Sequence, residues 1–320
     1  MKIMDMHCDT FSHIYKNETL NIYKNELSVD YLKLKKGNYI GQCFAMFVKY
    51  NNKDLYNTCL KMIEAYKKQM NIYKDCFLEI FKYEDFIKAF NENKIASILT
   101  IEEGAVIEND LNKLNHLYDL GVRMITLTWN YPNQIGYPNI QLSDNIDFSK
   151  VDNINGLTDF GIKMVRKMNE LGIVIDVSHL SDKGVYDVLK YSCKPFVASH
   201  SNSRTIANNC RNLNDDLIKK LANKKCVIGI NYCKDFITSN NKSDLIKELI
   251  KHIKHIVCIG GIDVVGLGSD FDGIPQNDKI KDASFVPLLI NELKKENFNE
   301  EDISKICYKN VLRVFKENMN

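Results

Sequence analysis

GLTDFGIKMVRKMNELGIVIDVSHLSDKGVYDVLKYSCKPFVASH, residues 156–200, carries one structural pattern twice. Helical periodicity over 156–171 gives way at Leu171-Gly172 to an apolar run over 172–178, and Ser181-Asp182 then opens a helical stretch over 182–191 that leads to a second apolar run at 195–199. Gly172 reads as a helix C-cap and Ser181 as an N-cap. A helix between two strands returns the chain for parallel pairing, so this segment predicts a parallel sheet. Both runs end in Ser-His, at Ser178-His179 and Ser199-His200. Ile173, Val174, Ile175 and Val177 make a buried strand, in which a histidine is expected only at the exit.

The pattern extends in both directions. Apolar or β-branched runs occur at 2–8, 40–48, 95–101, 122–128, 172–178, 195–199, 226–231 and 264–269. Helical stretches lie at 54–72 and 83–93, 109–119, 156–171, 182–191, 213–224 and 242–258, with 285–296 and 300–316 after the last strand. Eight strands alternating with helices predict a (β/α)8 TIM barrel. A doubly wound open sheet is the alternative, but its site would gather at one switch point. Here polar groups follow strands one, three, five, six and eight, as suits the ring of loops over a barrel. No linker, charge block or repeat divides the chain, so one barrel domain over 1–320 is expected.

Composition narrows the function. The 43 basic and 41 acidic residues give a net charge of +2, which offers no field for nucleic acid or an anionic membrane. Hydrophobic content of 45% and charged content of 26% are those of an ordinary globular protein. No apolar run approaches roughly 20 residues, and the chain starts without a signal-like segment, so a cytoplasmic location is expected. The ten cysteines contain no Cys-x-x-Cys pair and are expected to be reduced and mostly buried.

The strand exits carry metal-ligand chemistry. His7 and Asp9 alternate to the same side and can reach one metal together. Glu102 follows an apolar strand and precedes Gly104, His179 and His200 end successive strands, and Asp270 ends the eighth. Three histidines, a carboxylate able to bridge and two further acids are the parts of a two-metal hydrolase. Taken singly each has a plainer reading: Glu102 or Glu103 as a helix cap, each histidine as a satisfied core residue, and Asp272 before Gly273 as a turn former. His252 and His255 lie among lysines and read as a solvated helix face. His13 and His116 have no partners in sequence, and GLGSD lacks a full dinucleotide fingerprint. Ser178, Ser199 and Cys8 stand beside histidines, but adjacent strand residues point to opposite faces, so they are not expected to be activated.

Together DMHCDT (5–10), IEEG (101–104), GVRMITLTWN (121–130), the 156–181 segment, SHSNSR (199–204), CRNLNDD (210–216) and VVGLGSDFDG (264–273) resemble the membrane dipeptidase (renal dipeptidase) family of two-zinc peptidases, in its soluble bacterial form. The likeness runs from about residue 3 to NVLRVF at 310–315, with every motif in order. It implies a metal-dependent hydrolase barrel holding two Zn2+, one on His7 and Asp9 and the other on His179 and His200, bridged by Glu102. The ungapped register of TIEEGAVI selects Glu102, with Glu103 the adjacent alternative. The resemblance further implies that Arg211 binds the substrate's terminal carboxylate and that Asp270 transfers protons. Small dipeptides are then the expected substrates, with a homodimer as the expected assembly.

Two positions depart from the family. Trp129 stands where animal members carry a substrate-contacting histidine, and Phe236 replaces a tyrosine, although Tyr232 lies close by. Rival readings are another two-metal hydrolase acting on a cyclic amide, a lactone or an acyl amino acid, and a catalytically silent barrel that binds peptides.

Overall fold

The computed structural model describes residues 1–50, 53–140, 146–239 and 243–319. Its strands are β1 (Ile3–Asp5), β2 (Tyr39–Phe47), β3 (Phe77–Glu79), β4 (Ile95–Glu102), β5 (Val122–Thr126), β6 (Val174–Asp176), β7 (Val197–Ala198), β8 (Val227–Ile230) and β9 (Val265–Leu267). They run in the order β2-β1-β9-β8-β7-β6-β5-β4-β3, and a β2–β4 pairing closes eight of them into a parallel barrel. The eight expected runs are the eight barrel strands. β3 was not among them: it is three residues long and pairs only with Ile95–Ser97, too short to establish a periodicity.

The strands are apolar on both faces because helices cover the outside and other strands face the inside. Leu55–Ile72, Tyr83–Asn91, Leu111–Asp119, Asp159–Leu171, Asp182–Tyr191, Asp215–Asn223, Leu245–Gly260 and Pro287–Lys295 are helical, close to the expected spans. The first residue of the expected 242–258 helix lies outside the described residues. Ser181 accepts the Gly184 N–H at 3.0 Å and Gly172 takes φ of 81°, so both caps read from the sequence are present. The expected 300–316 helix is interrupted by a wide π turn at Lys305–Lys309. Two short helices, Thr10–Lys16 and Tyr31–Lys36, were not anticipated.

Val311, Val314 and Phe315 of the last helix, Asn310–Met319, pack with Met4, Ala96, Val174, Val197 and Val227 from the early part of their strands. This closes the N-terminal end of the barrel and leaves the C-terminal end for the loops. No described helix is long and apolar enough to cross a membrane. All ten cysteines are free, and six are buried: Cys8, Cys43, Cys59, Cys210, Cys226 and Cys307.

His252 departs from its expected solvated face. It is fully buried, accepting the Ser203 N–H at Nδ1 (3.1 Å) and donating from Nε2 to the Ile237 carbonyl (2.9 Å). The lysines around it in sequence point elsewhere on the helix, whose buried stripe runs through Leu249, His252, Ile253 and Ile256. His255 is half-exposed and pairs with Asp215 at 2.7 Å.

Candidate active site

The residues singled out at the strand exits converge. His7 and Asp9 follow β1, Glu102 ends β4, His179 follows β6, His200 follows β7 and Asp270 follows β9. His7 Nε2 lies 3.3 Å from Asp9 Oδ2, 3.3 Å from Glu102 Oε2 and 3.9 Å from Asp270 Oδ1. Glu102 Oε1 lies 3.0 Å from His179 Nε2 and 3.8 Å from His200 Nε2. The two oxygens of Glu102 thus face different neighbours, Oε2 towards His7 and Oε1 towards His179 and His200.

Glu103 is occupied otherwise. Its carboxylate accepts from the Ala105 N–H (2.9 Å), the Asn133 amide (2.6 Å) and the Trp129 N–H (3.1 Å), tying the Glu102 exit to the loop after β5. Its backbone is left-handed, with φ of 77°, which turns its side chain away from that of its neighbour. His179 (φ 72°) and Asp270 (φ 64°) are left-handed as well. Such backbone costs of order 1 kcal/mol or more for each residue and is retained where surrounding bonds over-determine it.

Those bonds come from two buried acids that the sequence reading passed over. Asp176 accepts the backbone N–H groups of Ser178 (3.0 Å) and Ser199 (2.8 Å), the residues before His179 and His200. Asp5 accepts the N–H groups of His7 (3.0 Å) and Ser269 (3.0 Å), the latter preceding Asp270. Each acid staples two neighbouring strand exits. Ser199 Oγ also donates to Asp176 (2.6 Å) and lies 2.7 Å from His200 Nδ1. The serine and its histidine were expected on opposite faces, yet β7 has ended at Ala198 and strand alternation no longer applies. With its proton committed to Asp176, this buried serine supports the histidine and is not a nucleophile. Asn130 Oδ1, 2.8 Å from His179 Nδ1, supports the other ring, and the Asn231 amide donates to Asp270 Oδ2 at 2.9 Å.

The donor set fits a metal pair. Both ring nitrogens of His7 and Oδ1 of Asp9 are buried with no hydrogen bond among the described residues. His179 and His200 each hold a partner at Nδ1, which leaves their Nε2 lone pairs facing each other at 2.9 Å. Such facing lone pairs are relieved by a cation between them. Electrostatics agree. Burial, and then the charge of Asp9, raise the Glu102 carboxyl above its ordinary range; burial also raises Asp270 to about 6, partly offset by His7. Burial opposes the charged form of His7, but Glu102 and Asp9 outweigh it and hold its pKa well above normal. His179 and His200 are pushed well below normal by burial and, next, by Arg211 and His7 respectively. Glu102 and Asp270, raised by burial near the neutral rings of His179 and His200, are acids whose ionised form a divalent cation would favour.

Above the cluster opens a pocket of about 380 Å3, walled by Phe47, Trp129, Arg211, Phe236 and Pro275, with Asp9, Glu102, His179 and Asp270 at its floor. Arg211 is 3% exposed, its guanidinium carbon lies 5.3 Å from the Phe236 ring centre, and its Nε has no partner among the described residues. Trp129 packs on Phe47 at 5.0 Å between ring centres and adds apolar wall beside His179. Gly273 is required by close approach: a Cβ there meets Asp9 Oδ2 at 2.2 Å and Asp270 Oδ1 at 2.6 Å.

Known proteins share this architecture. An uncharacterised dipeptidase of Schizosaccharomyces pombe is 32% identical, over 99% of this chain and 80% of its own length. Among solved structures, a metallopeptidase called dipeptidase AC superposes with a TM-score of 0.91 at 23% identity, covering 100% of this chain and 99% of its own. A metallopeptidase from Rhodobacter sphaeroides, liganded with a phosphinate mimic of the dipeptide L-Ala-D-Ala, superposes at 0.90 with 22% identity, covering 99% of each chain. At these identities the superpositions establish the shared fold. The sequence itself matches the membrane dipeptidase family, peptidase family M19, over residues 1–320. The chain belongs to that family and is a metallo-dipeptidase.

Proposed function

We propose that this protein hydrolyses the peptide bond of dipeptides bearing a free C-terminal carboxylate, using two zinc ions. His7 and Asp9 would hold one, His179 and His200 the other, with Glu102 shared. The observation that carries this reading is the splitting of Glu102 between His7 on one oxygen and His179 and His200 on the other. Paired divalent cations, when bound, supply Lewis-acid chemistry: they make water acidic and draw charge from the scissile carbonyl.

The chain's own groups do the rest. Asp270 reaches the cluster through Oδ1 while the Asn231 amide holds its Oδ2, so one oxygen is oriented and the other is free to carry a proton. A pKa raised by burial suits an acid that takes a proton from water and returns it to the departing amine. Arg211 presents a planar, desolvated fork that matches a carboxylate. Trp129 and Phe47 exclude water from one side of the pocket, where Trp129 offers no acceptor. The L-Ala-D-Ala mimic on the Rhodobacter relative extends the proposal to C-terminal D-residues.

The test is a panel of L,L and L,D dipeptides, a tripeptide, and cyclic amides and lactones, assayed with the wild-type protein and Arg211→Met. Cleavage of dipeptides with a KM that rises in the variant supports the reading. Cleavage of a lactone or cyclic amide alone, indifferent to Arg211, contradicts it.

A further inference from the structure

Arg211 makes few bonds of its own: Nε has none, and one Nη reaches the His200 carbonyl only at 3.4 Å. Its placement must come from the backbone that carries it, and the carbonyls of the residues on either side of it, Cys210 and Asn212, are held by one cluster built around the buried carboxylate of Asp182. Arg204 and Asp182 form a two-pronged ion pair, Nη1 to Oδ2 and Nη2 to Oδ1, each at 2.7 Å. The same Nη2 donates to the Asn212 carbonyl at 2.6 Å and lies 3.4 Å from the Cys210 carbonyl. Asn139 spans the other side, its amide donating to Asp182 Oδ1 and to the Cys210 carbonyl, both at 2.9 Å. Asn214 donates to Asp182 Oδ2 at 2.9 Å, completing two donors for each oxygen.

Asp182 is 1% exposed and sits in the first turn of the Asp182–Tyr191 helix, where the helix dipole favours its negative charge. Arg204 comes from the loop after β7, and Asn139 from the loop after β5. The loop after β5 and the loop after β7 are thereby locked to one carboxylate. Neither Asp182 nor Arg204 lines the pocket, whereas Arg211 does.

We infer that the Asp182–Arg204 pair is a positioning device for the substrate carboxylate: it fixes the loop of Arg211, and so the selection for a free C-terminus, without touching substrate. This rests on the proposed role of Arg211. Asp182→Asn removes the charge that organises the cluster; Asn139→Ala leaves the ion pair intact but releases the Cys210 carbonyl, one donor to Asp182 and the Asp152 and Asp182 N–H groups that the Asn139 side chain holds. Both are to be made in the full-length, zinc-loaded protein, alone and on an Arg211→Met background, with kcat, KM and zinc content measured on a dipeptide.

Misplacement of a binding group by a fraction of an ångström predicts a KM rise of about 10-fold to 100-fold for Asp182→Asn and a smaller rise for Asn139→Ala. Zinc content should hold, kcat should change far less than KM, and neither substitution should raise KM further once Arg211 is methionine. Equal losses in kcat and zinc, or KM effects that persist in the Arg211→Met background, overturn the inference. If Arg211→Met alone leaves KM unchanged, the fault lies in the carboxylate role of Arg211 itself, and the positioning role falls with it.

Discussion

The Nε2 atoms of His179 and His200 face each other at 2.9 Å, each ring held from behind, by Asn130 on one side and by Ser199 with Asp176 on the other. Two neutral imidazoles so fixed have no proton to share between them, and a cation between them would relieve the facing lone pairs. His200→Ala should therefore lower bound zinc from about two per chain to about one, with the fold retained, as read by elemental analysis and circular dichroism. Unchanged zinc content would remove His200 from the ligand set.

Asp270→Asn keeps the shape of the side chain at Asn231 but removes the group that moves a proton. Turnover should fall by about 10²–10⁴-fold while zinc content stays unchanged. A variant as fast as wild type would exclude Asp270 from proton transfer.

Glu102 and Glu103 are adjacent yet have separable duties. Glu103→Ala strands the Ala105 and Trp129 N–H groups and the Asn133 amide, which predicts a loss of at least about 2 kcal/mol in denaturant unfolding. Glu102→Ala should abolish metal binding and activity. The reverse pattern, with metal lost only on changing Glu103, would exchange their roles.

Gly273→Ala places a methyl group against Asp9 and Asp270, closer than any carbon can sit. Zinc affinity and kcat/KM should both drop by about tenfold or more, with helical content unaltered. Wild-type affinity would show that the loop yields.

His252 makes a pH prediction remote from the metal cluster. Burial pushes its pKa down to about 4 from an ordinary 6.5, so the folded protein keeps it neutral where the unfolded chain takes up a proton. Stability from this residue is complete above the unfolded value and is lost as pH falls from about 6.5 towards 4, by about 2 kcal/mol between pH 7 and 5. Comparing wild type with His252→Gln isolates the term from the buried carboxyls, whose raised values act in the opposite sense. Equal acid sensitivity in the two proteins would contradict it.

What the sequence disclosed followed from where the information lies. The barrel strands and their exits were legible because apolar runs end abruptly in histidine or acid, and the six exit residues do meet. β3 was not legible, since three residues carry no period. His252 was misread because its lysine neighbours in sequence are not its neighbours in space. Asp5 and Asp176 work by accepting backbone N–H groups from other strand exits, a role that leaves no mark on the partners' side-chain types. Ser199 was placed on the wrong face because strand alternation was carried past the end of β7. The register of TIEEGAVI pointed to Glu102, and the left-handed turn at 103, which only the backbone reveals, is what turns the Glu103 carboxylate elsewhere.

A two-metal site shared through Glu102 is tested most directly by titrating the metal-free protein with zinc while dipeptide hydrolysis is followed. Activity that is absent after chelation, rises with zinc and saturates at about two equivalents per chain is the result predicted. Full hydrolysis in the metal-free protein, or saturation at a single equivalent, would contradict it.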